Sequence, residues 1–318
     1  MGDITRSALN TRAGYDGSVA RIKLIWQSKL VLLLVLPFGG ADVVLQTHWW
    51  AVSCWPVAAW TTGLSLLLGL AVLQLRAATP GGAFAGTLIT ASLMFSTAAF
   101  TPSDPFPYAP WHTALLPVLA VFLLAWAATR LGRETKERLG IAERKQGRMA
   151  AQVAANLGVA ALLSEGVVQS WLAGNRWLSH TAPWILLAAG LAALAEAAAD
   201  TVSSEIGQVI GGEPRMITTL RRAEPGTDGA ISLAGTLAGA AAAVIVAAAG
   251  SMALNGGSTM FWVSCAGGVF GLFFDSLLGA TVERRGWLNN DAVNFLSTAS
   301  AAAFALGLLA LLPHPGAG

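Results

Sequence analysis

Apolar stretches of helical length recur along almost the whole chain, and short segments holding most of the charged residues separate them. A helix crosses the core of a bilayer with about 20 predominantly apolar residues. The pattern therefore predicts an all-α fold of about nine membrane-spanning helices. We place them at 24–45, 49–75, 82–100, 111–129, 150–172, 182–200, 229–250, 258–280 and 291–312.

The basic residues predict how these helices are oriented, because cytoplasmic loops of membrane proteins carry an excess of Lys and Arg. Of the 19 Lys and Arg residues, all but Arg176 fall in segments that nine spans would place on one side. We therefore expect the amino terminus and these loops to be cytoplasmic, in a bacterial inner membrane. The segments are the amino-terminal tail and the loops 76–81, 130–149, 201–228 and 281–290.

Composition supports a membrane protein, since 55% of the residues are hydrophobic and only 11% are charged. A soluble protein needs more charge to solvate its surface. The net charge of +2 gives no reason to expect nucleic acid as a partner. Cys54 and Cys265 are isolated, so they form no zinc or redox motif. Membrane lipids are the expected surroundings, and the sequence leaves a homo-oligomer open.

Acidic residues mark the end of the sixth predicted span, where Glu196 and Asp200 are followed by Ser203, Ser204 and Glu205. Helical spacing places Glu196, Asp200 and Ser203 on one face, whereas Glu205 lies roughly 140° around the helix from Asp200. An acid inside a bilayer costs about 2.5–3.5 kcal/mol and usually has a function. The alternative is a span end emerging into water, which suits Glu205 better than Glu196.

The following loop is rich in glycine, threonine and arginine and leads into a predicted helix. Backbone N–H groups at a helix start favour a phosphate, and arginine adds bidentate charge. The alternative is an ordinary loop in which Asp228 or Ser232 caps the seventh span. The candidate phosphate-binding residues are Arg215, Thr218, Thr219, Arg221, Arg222, Gly226, Thr227 and Gly229.

Two further polar groups belong to the last two spans. Asp275 lies about a turn and a half inside the end of the eighth span, among apolar neighbours. Asp291, Asn294 and Thr298 share one face of the ninth span, and Asn290 precedes them. The alternative for the ninth span is a capped helix start followed by hydrogen bonds between helices. The outward-facing ends of the spans lack matching acids, so we expect the working surface to be cytoplasmic.

Carboxylates, amides and hydroxyls from three separate segments thus reach the same membrane face. Hard oxygen ligands of this kind suit Mg²⁺, which takes one or two carboxylates and keeps waters and substrate phosphates. The candidate metal ligands are Asp200, Glu205, Asp228, Asp275 and Asp291. Elsewhere, the glycine pairs Gly82/Gly86, Gly235/Gly239 and Gly267/Gly271 have the spacing that lets membrane helices approach closely.

Several short strings together resemble one family of integral membrane proteins, which includes plant phytyl-phosphate kinase and transmembrane-protein-19-like proteins. Their order and approximate spacing match over roughly residues 80–310, with a departure at Ala230, where a second glycine is expected. The resemblance divides the chain into a tail with two extra spans (1–80) and a catalytic core (81–318). The strings are Thr129-Arg130-Leu-Gly132, Lys136-Glu-Arg-Leu-Gly140, Gly147-Arg148, Gln152-Val-Ala-Ala-Asn156, Asp200-Thr-Val-Ser-Ser-Glu205-Ile-Gly207, Gly226-Thr-Asp-Gly229, Asp275-Ser-Leu-Leu-Gly279-Ala-Thr281 and Asn290-Asp-Ala-Val-Asn294.

The resemblance implies transfer of a phosphoryl group from a nucleoside triphosphate, with CTP favoured, to an isoprenyl monophosphate. In that interpretation Asp200, Asp228, Asp275 and Asp291 are catalytic and hold the metal. The arginines and the glycine–threonine loop bind phosphates, together with Asn290, Asn294, Lys136 and Arg148. Two other classes of function stay open: a lipid or small-molecule transporter or flippase, and a CTP-dependent cytidylyltransferase, which would release pyrophosphate.

Overall fold

The fold is described from a computed structural model. It covers residues 24–99, 108–140, 147–166, 169, 183–210 and 212–312. The described residues lie almost entirely in helices, which confirms the all-α class. Several cations used above for the topology fall outside these ranges, namely Arg6, Arg12, Arg21, Lys23, Arg144, Lys145 and Arg176.

Helices follow one another along the chain with short connections. They are α1 (Ile25–Ser53), α2 (Trp55–Gln74), α3 (Pro80–Ser96), α4 (Leu115–Arg130), α5 (Arg133–Leu139), α6 (Ala150–Ser164), α7 (Pro183–Ile210), α8 (Leu233–Ala253), α9 (Gly257–Leu278) and α10 (Asn290–Leu311). A 3₁₀ turn (Pro110–His112) precedes α4, and a π-helical turn (Gly279–Glu283) extends α9. Strands β1 (Arg215–Met216) and β2 (Ala230–Ile231) pair antiparallel between α7 and α8.

Six of these helices are long and apolar enough to cross a membrane: α1, α2, α7, α8, α9 with its π turn, and α10. Two shorter apolar helices, α4 and α6, accompany them. The protein is therefore an all-α polytopic membrane protein. Each of the nine predicted spans overlaps a helix in the described part of the chain, whereas the number that cross the bilayer and the side of the amino terminus remain predictions.

The boundary between the first two predicted spans was wrong. We expected a break near residues 45–49, but α1 continues to Ser53 and the chain breaks at Cys54. The sequence supplies the reason two residues later, because Pro56 occupies the first turn of α2. Proline fits that position well, since a helix leaves its first N–H groups unbonded anyway.

Helix α7 forms the centre of the bundle. In its apolar window 83% of the residues are buried, whereas the other five long helices bury 22–39%. It packs against α8, α9 and α10 and also against α4 and α6. Close packing depends on glycine: a Cβ atom on Gly239 would lie 2.6 Å from the Ala199 carbonyl oxygen, and one on Gly267 would lie 2.8 Å from the Ala192 Cβ atom. The predicted close approach of the helices that carry these glycines is confirmed.

The helix ends that the charge pattern groups together do meet, and we call this end of the bundle the polar end. The backbone of Ala78, before α3, pairs with that of Arg148, before α6. Arg130, at the end of α4, donates a hydrogen bond to the Leu75 carbonyl oxygen (2.8 Å). Gln27, at the start of α1, donates to the carbonyl oxygen of Trp287 (2.9 Å). The connections between helices at this end are therefore joined to one another as well as to their own helices.

Candidate functional site

A cavity of about 260 Å³ opens at the polar end, and we call it the acid cavity. Its walls come from the last turns of α7, the loop between α7 and α8, and the junction of α9 with its π turn. Carboxyl, hydroxyl and amide groups dominate the lining. The polar residues that line it are Asp200, Ser203, Ser204, Gln208, Thr227, Asp228, Ser232, Asp275, Ser276, Glu283 and Asn290.

Asp200 and Asp275 form the floor of the acid cavity. Their carboxyl groups lie within hydrogen-bonding reach of each other, across the contact between α7 and α9. Glu196, one turn earlier on α7, is close enough to interact electrostatically with both. One oxygen of Asp275 and one of Glu196 are buried without a hydrogen-bond partner. Adjacent buried carboxylates with unsatisfied oxygens are costly unless a cation or a proton neutralises them.

The glycine-rich loop reaches the acid cavity through a contact between two glycines. Gly229 has a φ of +76°, and a Cβ atom there would collide with the backbone of Ala280. On the opposite side, a Cβ atom on Gly279 would lie 2.9 Å from the Gly229 nitrogen. Only glycine permits this approach. The contact holds Asp228 at the mouth of the cavity, facing the π turn.

Asp228 is an exposed residue, and two features of its surroundings change the pKa of its carboxyl group. Partial desolvation raises its pKa, and the nearby Arg284 guanidinium lowers it. Glu283, in the π turn, interacts electrostatically with Asp228, Asp200 and Asp291. The cavity thus gathers several acids around two arginines, Arg284 near Asp228 and Arg148 near Asp200. The excess of carboxyl groups over arginines makes the cavity a favourable place for a cation.

The donor set suits a hard divalent cation. Within the described residues, no three His, Cys, Asp or Glu side chains already stand in the geometry of a complete metal site. Mg²⁺ does not need such a cage, because it commonly uses one or two carboxylates and fills its remaining positions with waters and phosphates. Asp200 and Asp275, with the unsatisfied oxygen of Asp275, match that requirement.

Asp291 lies beside the acid cavity and does not line it. It is buried at the start of α10, where its carboxylate accepts a hydrogen bond from the Ser28 hydroxyl group (2.6 Å). The preceding Asn289 caps α10 by accepting from the Ala292 N–H group (2.9 Å). Asn289 also donates to Ser28 and to the Leu24 carbonyl oxygen, both at 2.9 Å. These hydrogen bonds hold the start of α10 against the start of α1. The alternative of a capped helix start is therefore correct for α10.

Glu205 points away from the acid cavity, as the helical phase predicts. It forms an ion pair with Lys136 and accepts a hydrogen bond from the Thr129 hydroxyl group (3.2 Å). Lys136 is 1% exposed and also donates to the Ala128 carbonyl oxygen (3.0 Å). Glu205 was predicted as a metal ligand and Lys136 as a phosphate ligand. Instead, the two side chains join α5 and the end of α4 to α7.

The three arginines of the loop between α7 and α8 stand outside the cavity wall. Arg215 donates to the Leu220 carbonyl oxygen (2.9 Å), and Arg222 pairs with Glu213 (2.8 Å). Arg221 is exposed, as are Thr218 and Thr219 in the turn that precedes it. Ser232 caps α8 by accepting from the Gly235 N–H group (3.1 Å), so that alternative is correct for Ser232. The structure brings Gly226, Thr227 and Gly229 to the site with Asp228. It leaves the three arginines, Thr218 and Thr219 at the surface.

Two polar bridges lead from the acid cavity toward α6. Arg148, just before α6, donates a hydrogen bond to the Thr201 hydroxyl group (3.2 Å), next to Asp200. On the other side, Asn290 donates to Asn294 (3.3 Å), which donates to Asn156 of α6 (3.0 Å). The predicted phosphate-binding residues Arg148, Asn290 and Asn294 therefore lie at the border of the cavity.

Three acids are placed where we did not expect them. Glu283 lines the acid cavity but stands next to Arg284 and Arg285, so it reads as an ordinary loop charge. Glu165 and Asp42 are both buried and interact electrostatically, with Asp42 accepting a hydrogen bond from Ser92 (2.7 Å). Glu165 follows the end of α6 opposite to Asn156 and Arg148, so the expectation that the other end of the bundle lacks acids was wrong.

A buried acid cluster at one end of a polytopic helical bundle defines an integral membrane protein with a polar site at a membrane face. The chain belongs to the family described as integral membrane protein DUF92, whose model matches residues 63–302. The match begins inside α2 and includes every residue that lines the acid cavity. The proposed division of the chain at residue 80 remains a prediction.

Relatives of the chain occur in archaea, cyanobacteria and plants. It is 44% identical to an uncharacterized membrane protein of Methanocaldococcus jannaschii over 34% of this chain and 45% of that one. An uncharacterized membrane protein of Synechocystis is 34% identical over 62% of this chain and 74% of its own length. The chloroplast protein VTE6 of Arabidopsis thaliana is 29% identical over 57% of this chain and 54% of its own. No solved structure matches the chain.

Proposed function

We propose that the protein is a Mg²⁺-dependent prenyl-phosphate kinase. It would transfer the terminal phosphoryl group of a nucleoside triphosphate, with CTP favoured, to an isoprenyl monophosphate such as phytyl or geranylgeranyl phosphate, giving the diphosphate. The observation that carries the proposal is the half-buried Asp200–Asp275 pair, in which one buried Asp275 oxygen has no hydrogen-bond partner, beside a cavity closed by a glycine-rich loop. The sequence resemblance to the family of plant phytyl-phosphate kinase supplies the substrate class.

The chemistry demands positioning and charge neutralisation more than covalent catalysis. Bound Mg²⁺ would supply the positive charge that offsets the phosphate oxygens. Asp200 and Asp275 would hold it, and Asp228 would face it from the mouth of the cavity. The loop from Gly226 to Gly229 would place its backbone against a phosphate, as glycine loops do at other anion sites. The acceptor is already an anionic phosphate, so the site needs no strong general base.

Turnover by the purified full chain in detergent tests the proposal directly. The reaction contains Mg²⁺, labelled CTP and geranylgeranyl monophosphate, and the nucleotide and lipid products are resolved. We expect CDP and geranylgeranyl diphosphate. Release of pyrophosphate would instead identify a cytidylyltransferase. No turnover with any nucleoside triphosphate across several prenyl phosphates would contradict both enzyme hypotheses and leave the transporter.

A matched set of substitutions then tests the assigned residues. Asp200→Asn and Asp275→Asn should each lower turnover by at least about a hundredfold, because an amide cannot replace a carboxylate as a Mg²⁺ ligand. Asp42→Asn is the control, since Asp42 is another buried acid of the same bundle but does not line the acid cavity. Near-normal turnover of both cavity variants would rule out the metal assignment.

A further inference from the structure

A second and larger cavity, of about 510 Å³, lies on the other side of α7 between α2, α3, α4 and α6. Its size falls in the range of about 300–1,000 Å³ typical of small-molecule sites. The deep part is apolar, and its walls include Val72, Val118, Val121, Phe122 and Leu157. The structure thus provides a partly open hydrophobic chamber among these helices.

The mouth of this second cavity lies at the polar end and is basic. Arg76, Arg130, Arg133, Lys136 and Arg148 border it, with Glu137 as the one acid among the described lining residues. Lys136 is paired with Glu205, and Arg133 with Glu137 (3.1 Å). Arg130 stacks over the Trp126 ring at 4.6 Å and donates to a neutral carbonyl group, and no acid among the described residues forms an ion pair with it. An anion at the mouth would therefore be stabilised.

Both polar bridges of the acid cavity end in the second cavity. Arg148 lines the second cavity and bonds to Thr201, the neighbour of Asp200. Asn156 also lines it and is linked through Asn294 to Asn290, which lines the acid cavity. In addition, Ala197 in the wall of the second cavity precedes Asp200 by one helical turn of α7. The basic mouth and the acid cluster are thus neighbours across one helix.

From this arrangement we propose that the second cavity binds a single-chain lipid phosphate monoester. The apolar chain lies among α2, α3, α4 and α6, and the phosphate lies at the basic mouth beside Arg130 and Arg148. This site is separate from the acid cavity. If the kinase assignment is correct, it binds the acceptor lipid next to the metal-bound nucleotide. The lipid-binding claim itself requires neither metal nor nucleotide.

Charge and shape select this occupant. A phosphate monoester presents two negative charges to arginine guanidinium groups, which bind phosphate bidentately. Below that point the walls are mainly apolar, so the chamber suits an isoprenoid or alkyl chain better than a polar ligand of similar size. Inorganic phosphate would use only the mouth, and the uncharged alcohol would use only the chamber. Each should bind much more weakly than the complete lipid phosphate.

The test is equilibrium binding of tritiated geranylgeranyl monophosphate to the full-length protein, with EDTA present and no nucleotide. Ala125→Phe places a large side chain in the chamber, and we expect binding to fall to background. Arg130→Gln removes one guanidinium group from the mouth and should weaken binding about tenfold, the size of one charge-assisted hydrogen bond. Excess inorganic phosphate or geranylgeraniol should displace the label poorly.

Matched controls separate these effects from damage to the fold. Arg285→Gln removes an equally exposed arginine that stacks on Trp287 at 5.5 Å but borders neither cavity. Ala303→Phe adds the same bulk on an exposed position of α10. Both controls should bind like the original chain. A photoreactive lipid phosphate, which needs no substitution, should label peptides of α3, α4 and α6.

The outcomes distinguish this inference from the kinase proposal. Binding that disappears in Ala125→Phe would support the lipid site even if the protein shows no turnover. Normal binding by Ala125→Phe and Arg130→Gln, or no binding by the original chain, would overturn it whatever the turnover. Labelling confined to α9 and α10 would place the lipid in the acid cavity and would also overturn it.

Discussion

The Ser28 hydroxyl group donates a hydrogen bond of 2.6 Å to the carboxylate of Asp291, and the two residues are 263 positions apart in the chain. Ser28 belongs to α1, which precedes the segment matched by the family model, whereas Asp291 belongs to the polar end of α10. The first helix therefore takes part in the framework of the site. It is more than an added membrane anchor.

Ser28→Ala should weaken that framework. Removing a hydrogen bond to a charged group costs about 1.5–3 kcal/mol, so we expect a lower free energy of unfolding and a turnover reduced by less than about tenfold. Thermal unfolding in detergent and the CTP assay measure the two effects. Ser28→Thr keeps the hydroxyl group and should restore both. Equal values for all three proteins would show that this contact contributes nothing.

Gly229→Ala should damage the acid cavity by a steric route. An added methyl group would meet the backbone of Ala280 and push the loop from the π turn. Gly212→Ala is the matched control, since Gly212 also has a positive φ (+63°) but has open space around it. The control should cost about 1 kcal/mol of unfolding free energy. Overpacking should cost Gly229→Ala about 1–3 kcal/mol more, with loss of turnover. Identical behaviour of the two variants would refute the steric explanation.

Lys136 and Glu205 should behave as a structural pair. Lys136→Met leaves a largely buried carboxylate without its partner, which typically costs about 3–5 kcal/mol. The double variant Lys136→Met with Glu205→Leu should be much closer to the original in thermal stability, because both charges are gone. It should also retain turnover. A folded but inactive double variant would return Lys136 to the phosphate-binding role that its sequence context suggested.

Glu283→Gln should weaken metal binding while leaving the fold intact. It removes a carboxyl group that interacts electrostatically with Asp228 and Asp200 and that a bound cation would favour in its ionised form, so the Mg²⁺ concentration for half-maximal turnover should rise at least about tenfold. Glu224→Gln changes an exposed acid of the same loop region that does not line the cavity. A Mg²⁺ titration of the two variants provides the comparison, and an unchanged titration for Glu283→Gln would remove it from the site.

Arg284→Gln should shift the acid side of the pH–activity profile. The Arg284 charge lowers the pKa of Asp228, and its removal lets the pKa rise toward the value that desolvation favours. If turnover requires ionised Asp228, the Arg284→Gln variant should lose turnover on acidification at a higher pH than the original protein does. The adjacent Arg285→Gln should leave the profile unchanged. A shift to lower pH would contradict the assigned interaction.

Local periodicity explains what could be predicted from the sequence. Asp200 and Glu205 point to different sides of α7 because their separation of five residues fixes the angle between them on any helix. The capping choices at Ser232 and Asn289 are also local, as they depend on the first turn of one helix. The one-sided distribution of arginines identified which helix ends would meet.

Contacts between distant segments explain what could not be predicted. Nothing near Lys136 or Glu205 distinguishes a buried ion pair from two surface charges, since the partners are 69 residues apart. The same holds for Asn156 and Asn294, which are 138 residues apart. The composition of the α7–α8 loop suggested that its arginines bind phosphate. Instead, a tight turn at residues 216–221, closed by a hydrogen bond from the Met216 N–H group to the Arg221 carbonyl oxygen (2.9 Å), leaves them exposed. Their placement depends on backbone geometry that composition does not encode.

The central position of α7 has a consequence for the biogenesis of the protein. This helix carries Glu196 and Asp200, and the helices that cover those carboxylates, α8, α9 and α10, are all synthesised after it. When α7 leaves the ribosome, Glu196 and Asp200 lack the helices that will cover them, and an acid that enters the bilayer centre costs about 2.5–3.5 kcal/mol. Stable integration of α7 therefore depends on the arrival of the last three helices. Truncation before α9 should consequently release a chain that membrane quality control recognises, even though every remaining helix is intact.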